Sequence, residues 1–465
     1  MRQTNKIRKG IAWLLCTVLV LGILPMLPQM SMQISAAENA ASVFVDGVEL
    51  HAGGKKYFKN GDTADSGATG TDEDHSAYYD TAGELWLNNL EAHTIKANGN
   101  LTIYVCNNQE TNTNIVTATQ NETAIEVTGY LTIQYGGYGE TGSLTVESDG
   151  KEAIQAGSGM TVSDGVEVKV RAKSGATAIS SGGVLKIDGI RTKLEAASDG
   201  STGKGIFAQQ SIYVKNSAVL TAFGGAAAYE SPSGIDKSGY GYEDYNVFTG
   251  DAAPGTQAAK DTALDGYKYI RIEPTGVANV KTLTELQAAA QNQYISLINV
   301  MNDITITDTV YVRRAVTIQS PDVSNVSKLI RGKSHTDVIL DFDGANGHKS
   351  DVVTLKNIIV DGNKDGNTQT ASPALKSKSI LVDLESGTVI ENNHAKEGAA
   401  IYVNHYSTVT MKEGSEIRNN LSESDGTVYV IGNGGYFEMA GGTISGNTVA
   451  GNGGEIGRAS CRERV

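Results

Sequence analysis

Cysteine is nearly missing from this chain. Of 465 residues three are Cys (Cys16, Cys106 and Cys461), and two of these lie in end segments set apart below. Cys106 then stands alone, so no disulfide within the chain can staple the fold, and stacked backbone must hold it. Histidine is sparse too. The seven His form no evident cluster, and no nucleophile stands in a recognisable pattern with a base. Tryptophan is scarce, 2 residues against 7 Phe and 20 Tyr. A basic excess is also lacking: the net charge is −14, which argues against nucleic acid and against unaided binding of acidic polysaccharides. Neutral glycans, cations and protein partners are compatible with it.

What is present is a repeat. Asn393, Asn420 and Asn447 stand 27 residues apart, and Ile390, Ile417 and Ile444 keep the same step. AIYV (Ala400 to Val403) recurs as TVYV (Thr427 to Val430) at that interval. The earlier half carries a second version. Ile95, Ile125, Ile154, Ile179 and Ile206 are each followed at +6 and +8 by an apolar pair, such as Leu131/Ile133 and Leu185/Ile187. The steps between copies vary while the internal spacing does not, so one turn absorbs the length changes. Such periods signal a solenoid.

Within each repeat apolar and polar residues alternate, as in Leu131-Thr-Ile133 and Val168-Lys-Val170, which is the period of a strand buried on one face. Gly and Asn punctuate the runs as turns, and no amphipathic helical stretch interrupts them. The fold expected is all-β, a right-handed parallel β-helix whose coils stack inward Ile, Val and Leu in columns. The asparagines at 27-residue spacing are expected to form a ladder, each amide bonding the next coil. One helix is expected at TLTELQAAAQ, where Thr282 and Glu285 make a capping box. It would cover the first open coil of a second solenoid, giving two tandem units. The boundaries expected are 42–275 for the first, 276–280 for a linker and 281–454 for the second. Residues 226–265 hold no repeat, and YKYIRIEP reads as the closing strand of the first unit.

Both ends differ from the rest. Arg2, Lys6, Arg8 and Lys9 precede an apolar run from Ile11 to Leu27 and then Ser35-Ala36-Ala37, the layout of a secretory signal over 1–37. A retained membrane anchor is the alternative, though Pro25 and Pro28 break the run. The tail EIGRASCRERV (455–465) matches no repeat and resembles a translated sequencing adapter, with the 27-residue pattern expected to continue beyond Gly454. The leader carries four cations and no acids, and the tail three Arg against two Glu. The −14 of the whole chain therefore becomes −19 for 38–454.

LKNIIVDGN, IENNHAKEGAAIYV and GGTISGN make the second half resemble the pectate-lyase-like right-handed β-helix proteins, especially their adhesin-like members. The first half, through its G-x-L-T-I and A-I strips, is similar to β-helical carbohydrate-binding domains of secreted bacterial proteins. These resemblances imply a secreted or cell-wall-associated protein that binds glycan or another host or cell-surface ligand, without catalysis. They leave a polysaccharide lyase or glycoside hydrolase, and a passive stalk, as alternatives. The polygalacturonase strips N-T-D, G-H-G and R-I-K are absent. A membrane would be met only through the leader or a further C-terminal anchor. Two candidate sites follow from the residues. DGNKDGN opens like a calcium loop, with Asp361, Asn363 and Asp365 as oxygen ligands for Ca²⁺, although position twelve is Ser372 rather than Glu. A solvated turn is the competing reading. SGYGYEDYNVF offers Tyr240, Tyr242 and Tyr245 as rings for sugar faces beside Glu243 and Asp244, or as rings packing on the solenoid flank.

Overall fold

The computed structural model describes residues 39–458 except 52–55, 72–73, 107–112, 120, 138–141, 345–349, 368, 433 and 452–453. The leader, His348 and residues 459–465 lie outside the described residues. The protein is a nearly all-β parallel solenoid of about 13 turns. Among the described residues no helix is long and apolar enough to cross a membrane.

The alternation in the sequence becomes three stacked faces. Ile95, Ile125, Ile154, Ile179 and Ile206 are in register on one sheet. Leu101, Leu131, Met160, Leu185 and Ile212 are in register on the next. All ten side chains are buried, so each coil shields the apolar edge of its neighbour. The start of the stack is covered by strands rather than by a helix. Val43–Val45 pairs antiparallel with both Val48–Leu50 and Ile95–Ala97, which blocks the open edge of the first coil.

The two halves meet in one long strand, Tyr269–Val280. Its first part pairs antiparallel with Val219–Gly224, and its last part pairs parallel with Leu297–Val300. Residues 276–280, read from the sequence as a linker, therefore lie within a strand of a 15-stranded sheet that runs through both halves. Two apolar cores flank this strand, one from Ala40 to Ile272 and one from Ala278 to Val430. The stretch without repeats is also more ordered than its sequence suggests. Glu243–Gly250 makes a hairpin with Thr256–Ala258 and lies along the long strand.

The helix spans Leu283–Gln291 with both arms of its capping box made. Thr282 Oγ1 accepts from Glu285 N–H, and the Glu285 carboxylate accepts from Thr282 N–H at 3.1 Å. Leu286, Ala289 and Ala290 are buried against the second core. Just past it, Asn292 reaches a carboxylate at the joint. Its Nδ2 donates to Glu243 Oε1 at 3.1 Å, and Ser217 Oγ donates to Oε2 at 2.9 Å. Burial pushes the Glu243 carboxyl above the usual range, and its bonds to Ser217 and Asn292 oppose that only in part. A carboxylate with a raised folded pKa adds most stability when protonated, and that contribution is lost as pH rises through the folded value. Glu243→Gln keeps an acceptor for Asn292 and removes the buried charge, with its amide nitrogen as a donor toward the Ser217 oxygen. We expect this variant to melt higher than the parent at neutral pH, with the gap closing below about pH 4. A thermal scan at the two pH values checks this; a lower melting point at neutral pH contradicts it.

Candidate functional site

At the D-x-N-x-D-G turn, Ile359–Asp361 ends a strand and the chain reverses through Asn363, which sits at φ 50. Asp361 Oδ1 accepts from Asn363 N–H at 2.8 Å, and Oδ2 lies 3.8 Å from Lys328 Nζ. Asn363 Nδ2 donates to Arg331 O at 3.0 Å, while Asn363 O accepts from Gly366 and Asn367 N–H. Asp365 points to solvent. A Cβ at position 366 would stand 2.4 Å from Asn363 Oδ1, so a side chain there would displace the Asn363 amide. Among the described residues no three His, Cys, Asp or Glu gather as metal ligands. Asp361 and the Asn363 amide nitrogen are engaged locally, and an ion would have to share Asp361 with the Lys328 ammonium. Calcium at Asp361, Asn363 and Asp365 is thus a proposal with a direct test. Local engagement predicts the same melting temperature in calcium and in chelator, whereas ligation of the folded turn would raise it by mass action.

The I-x-N-N strips divide their two asparagines by role. Asn392 and Asn419, both at φ 56, and Gly446, at φ 64, take the left-handed corner. The following Asn turns inward. Asn420 Oδ1 accepts from Asn393 N–H, and Asn447 Oδ1 from Asn420 N–H, each at 3.0 Å. The amide nitrogens of Asn420 and Asn447 donate to Ile390 O and Ile417 O, each at 3.1 Å. At the other end of this ladder stands Arg331, fully buried. Its Nε donates to Asn393 Oδ1 at 3.2 Å, and its Nη2 to Ser372 O at 2.9 Å. Its Nη1 donates to the carbonyls of His335 and Asp337. Desolvation brings this guanidinium down to about 10. The ladder is structural, and nothing in the sequence around Arg331 marks it as internal.

The tyrosines lie at the joint between the two cores. Tyr240 is buried, its Oη donates to Ala218 O, and its ring stacks on Tyr245 with centroids 4.7 Å apart. Burial pushes its hydroxyl far above the ordinary range. Half-buried Tyr242 packs against the second core, where burial raises its hydroxyl to about 12. Half-buried Tyr245 packs on the first core, with Lys260 Nζ 5.6 Å from its ring centroid. Tyr240 thus has no face open to a sugar, and Tyr242 and Tyr245 offer edges of packed rings. Any ligand role for the trio is left to the outer parts of Tyr242 and Tyr245.

The outer faces of the solenoid carry richer chemistry. In the second half Tyr311, Asp341, Lys376, Tyr402 and Tyr429 stand in register along one sheet. Lys376 lies 3.7 Å from Asp341, and beside them Lys378 lies 3.5 Å from Asp343. Burial pushes the Asp341 carboxyl up, Asp343 adds to this, and Lys376 and Arg313 oppose it. Tyr311 is 43% exposed and Tyr406, at the adjoining corner, 58%; Tyr402 is half-buried and Tyr429 is covered. In the first half a groove of about 900 Å³ runs over Glu167, Arg171, Glu195, Phe223, Tyr269 and Arg271. Its cations are paired, Arg171 with Asp199 at 2.8 Å and Arg271 with Glu273 among them. The sequence reading missed both faces. Their signal is the polar residue between each pair of inward apolar ones, readable only once the coil register is known.

Against known proteins, one segment of this solenoid is similar to a described family. Residues 277–398 match the family model described as "Putative pectate lyase-like adhesive domain". No curated protein and no solved structure matches the chain.

Proposed function

We propose that this is a secreted, cell-surface, adhesin-like β-solenoid that holds a glycan or another surface ligand along its outer faces without turning it over. The observation that carries this reading is the row Tyr311–Asp341–Lys376–Tyr402, because most of it lies within the segment matching the adhesive-domain model. A solenoid presents such a row as an extended contact surface. Tyrosine edges and a paired carboxylate and ammonium suit hydroxyl-rich partners, since the ring takes an apolar face while the charged groups bond hydroxyls. The test is retention of the full chain on immobilised neutral polysaccharides, comparing Tyr311→Ala/Tyr402→Ala with the parent. Retention should fall on the order of tenfold, the loss typical of one or two anchor residues. Equal retention of both proteins would remove the row from the reading. One observation favours an enzyme instead: Asp341, with its raised carboxyl, sits beside an amine on an outward face. That arrangement could serve acid–base chemistry on a glycan.

A further inference from the structure

Arg313 stands on the outward face, within electrostatic reach of the Asp341 carboxylate. It makes no hydrogen bond and no ion pair with a described residue; its guanidinium lies over the Tyr311 ring, 5.6 Å from the centroid. Both side chains are exposed, and with Ala290, Gln291, Gln293 and Arg314 they line a pocket of about 470 Å³ beside the end of the helix. Arg314 is fixed in its wall. Its Nη2 donates to Ala289 O at 3.0 Å and its Nη1 to Ala315 O at 2.9 Å, while its Nε is buried with no partner among the described residues. Desolvation brings this second guanidinium down to about 10, with Asp351 opposing the shift.

The pocket therefore presents a guanidinium over a ring, a second guanidinium behind it, and two glutamine side chains. The Tyr311 ring beside it restricts the Arg313 side chain, so less freedom is lost when an oxyanion pairs with its planar fork. A carboxylate or phosphate accepts two parallel N–H bonds from such a fork. The Gln291 and Gln293 amides supply donors and acceptors that suit hydroxyl groups, and Tyr311 offers an apolar surface. From this chemistry we infer that the pocket takes an anionic polyol, a sugar or polyol carrying one carboxylate or phosphate. The inference rests on the surface-ligand reading above for the kind of partner met. It adds a charge requirement which that reading lacks.

The test uses the full chain at low ionic strength, where exposed charges are least screened. Four small probes are titrated by calorimetry: glucuronate, glycerol 3-phosphate, glucose and glycerol. At least one of the two anions should bind, and its neutral counterpart should bind at least about tenfold more weakly, the difference expected for a charge-assisted pair. The anion that binds identifies the acidic group. Arg313→Ala should abolish the binding with little change in melting temperature, because the side chain is exposed and makes no hydrogen bond or ion pair with a described residue. Arg313→Lys should keep phosphate better than carboxylate, since it retains a point charge without the fork. Binding of neither anion, equal binding of glucose and glucuronate, or unchanged binding in Arg313→Ala overturns the inference. Polysaccharide retention on the same preparations separates the two claims. Retention that depends on Tyr402 with no anion binding sinks the pocket alone. Anion binding through Arg313 without any polymer retention upholds the pocket and sinks the surface reading.

Discussion

Ile179→Asp should unfold the first half of the solenoid. Ile179 is fully buried, in register between Ile154 on one side and Ile206 on the other. Cutting the side chain back to Ala would cost about 2–5 kcal/mol through lost burial and the cavity left behind. Aspartate adds a desolvated carboxylate with no cation within the apolar column, so the total should exceed about 4 kcal/mol. Repeat proteins couple mainly through nearest neighbours. The effect should therefore spread from the coil at 179 and leave the second core less affected. Urea titration followed by circular dichroism would read it as an early transition that the parent lacks. Lowering the pH should shrink the defect, because a neutral carboxylic acid is less costly to bury. A loss below about 1 kcal/mol would mean that position 179 faces water.

Arg331→Ala is the second large effect. The guanidinium donates to Asn393 Oδ1 and to the carbonyls of His335, Asp337, Ser372 and Pro373. Removing it leaves the Asn393 amide oxygen and the Asp337 and Pro373 carbonyls unpaired around a cavity, while His335 O and Ser372 O keep Asn367 and Asn393 as donors; the lost bonds and the cavity together should cost about 3–5 kcal/mol. Arg331→Met fills the space while still leaving those three acceptors unpaired, so it should cost less than the alanine but more than a surface change. Hydrogen exchange gives the sharper readout. Amides in 332–338 and 371–375 should lose protection first, and those around Ile125 should not change. Uniform loss over both halves would argue that Arg331 does not act locally.

Much of the fold could be read from the sequence because the inward residues are selected by one rule. A coil must present Ile, Val, Leu or Met at fixed offsets to meet its neighbours, so the +6/+8 pair recurs even where the turn changes length. The capping box at Thr282 and Glu285 and the asparagine ladder were legible for the same reason: each is a local pattern with one geometric meaning. Elements that pair outside the repeat were not legible. The strand Glu243–Gly250 runs antiparallel to a partner more than twenty residues away, and no periodicity announces that. The β cover at Val43–Leu50 is equally aperiodic. Arg331 looks like a surface residue until the carbonyls of two loops close around it. The outward row was hidden by unequal steps, since Tyr311, Asp341, Lys376 and Tyr402 are separated by 30, 35 and 26 residues. The tyrosine trio shows the opposite limit. Its composition suits a sugar site, but the sequence could not reveal that Tyr240 is buried or that Tyr245 stacks on it.

The end of the chain adds a detail of register. Ile456–Arg458 pairs with Val428–Val430, where the repeat expects a strand of the AIYV type.

Binding without turnover is the central claim. Its most direct measurement is one incubation of the full chain with neutral and acidic polysaccharides, scoring retained protein and released products together. The account predicts retention on at least one polymer, weakened by Tyr311→Ala/Tyr402→Ala, with no new reducing ends and no unsaturated products. Product release that is lost in Asp341→Asn, or retention on no polymer at all, would contradict it.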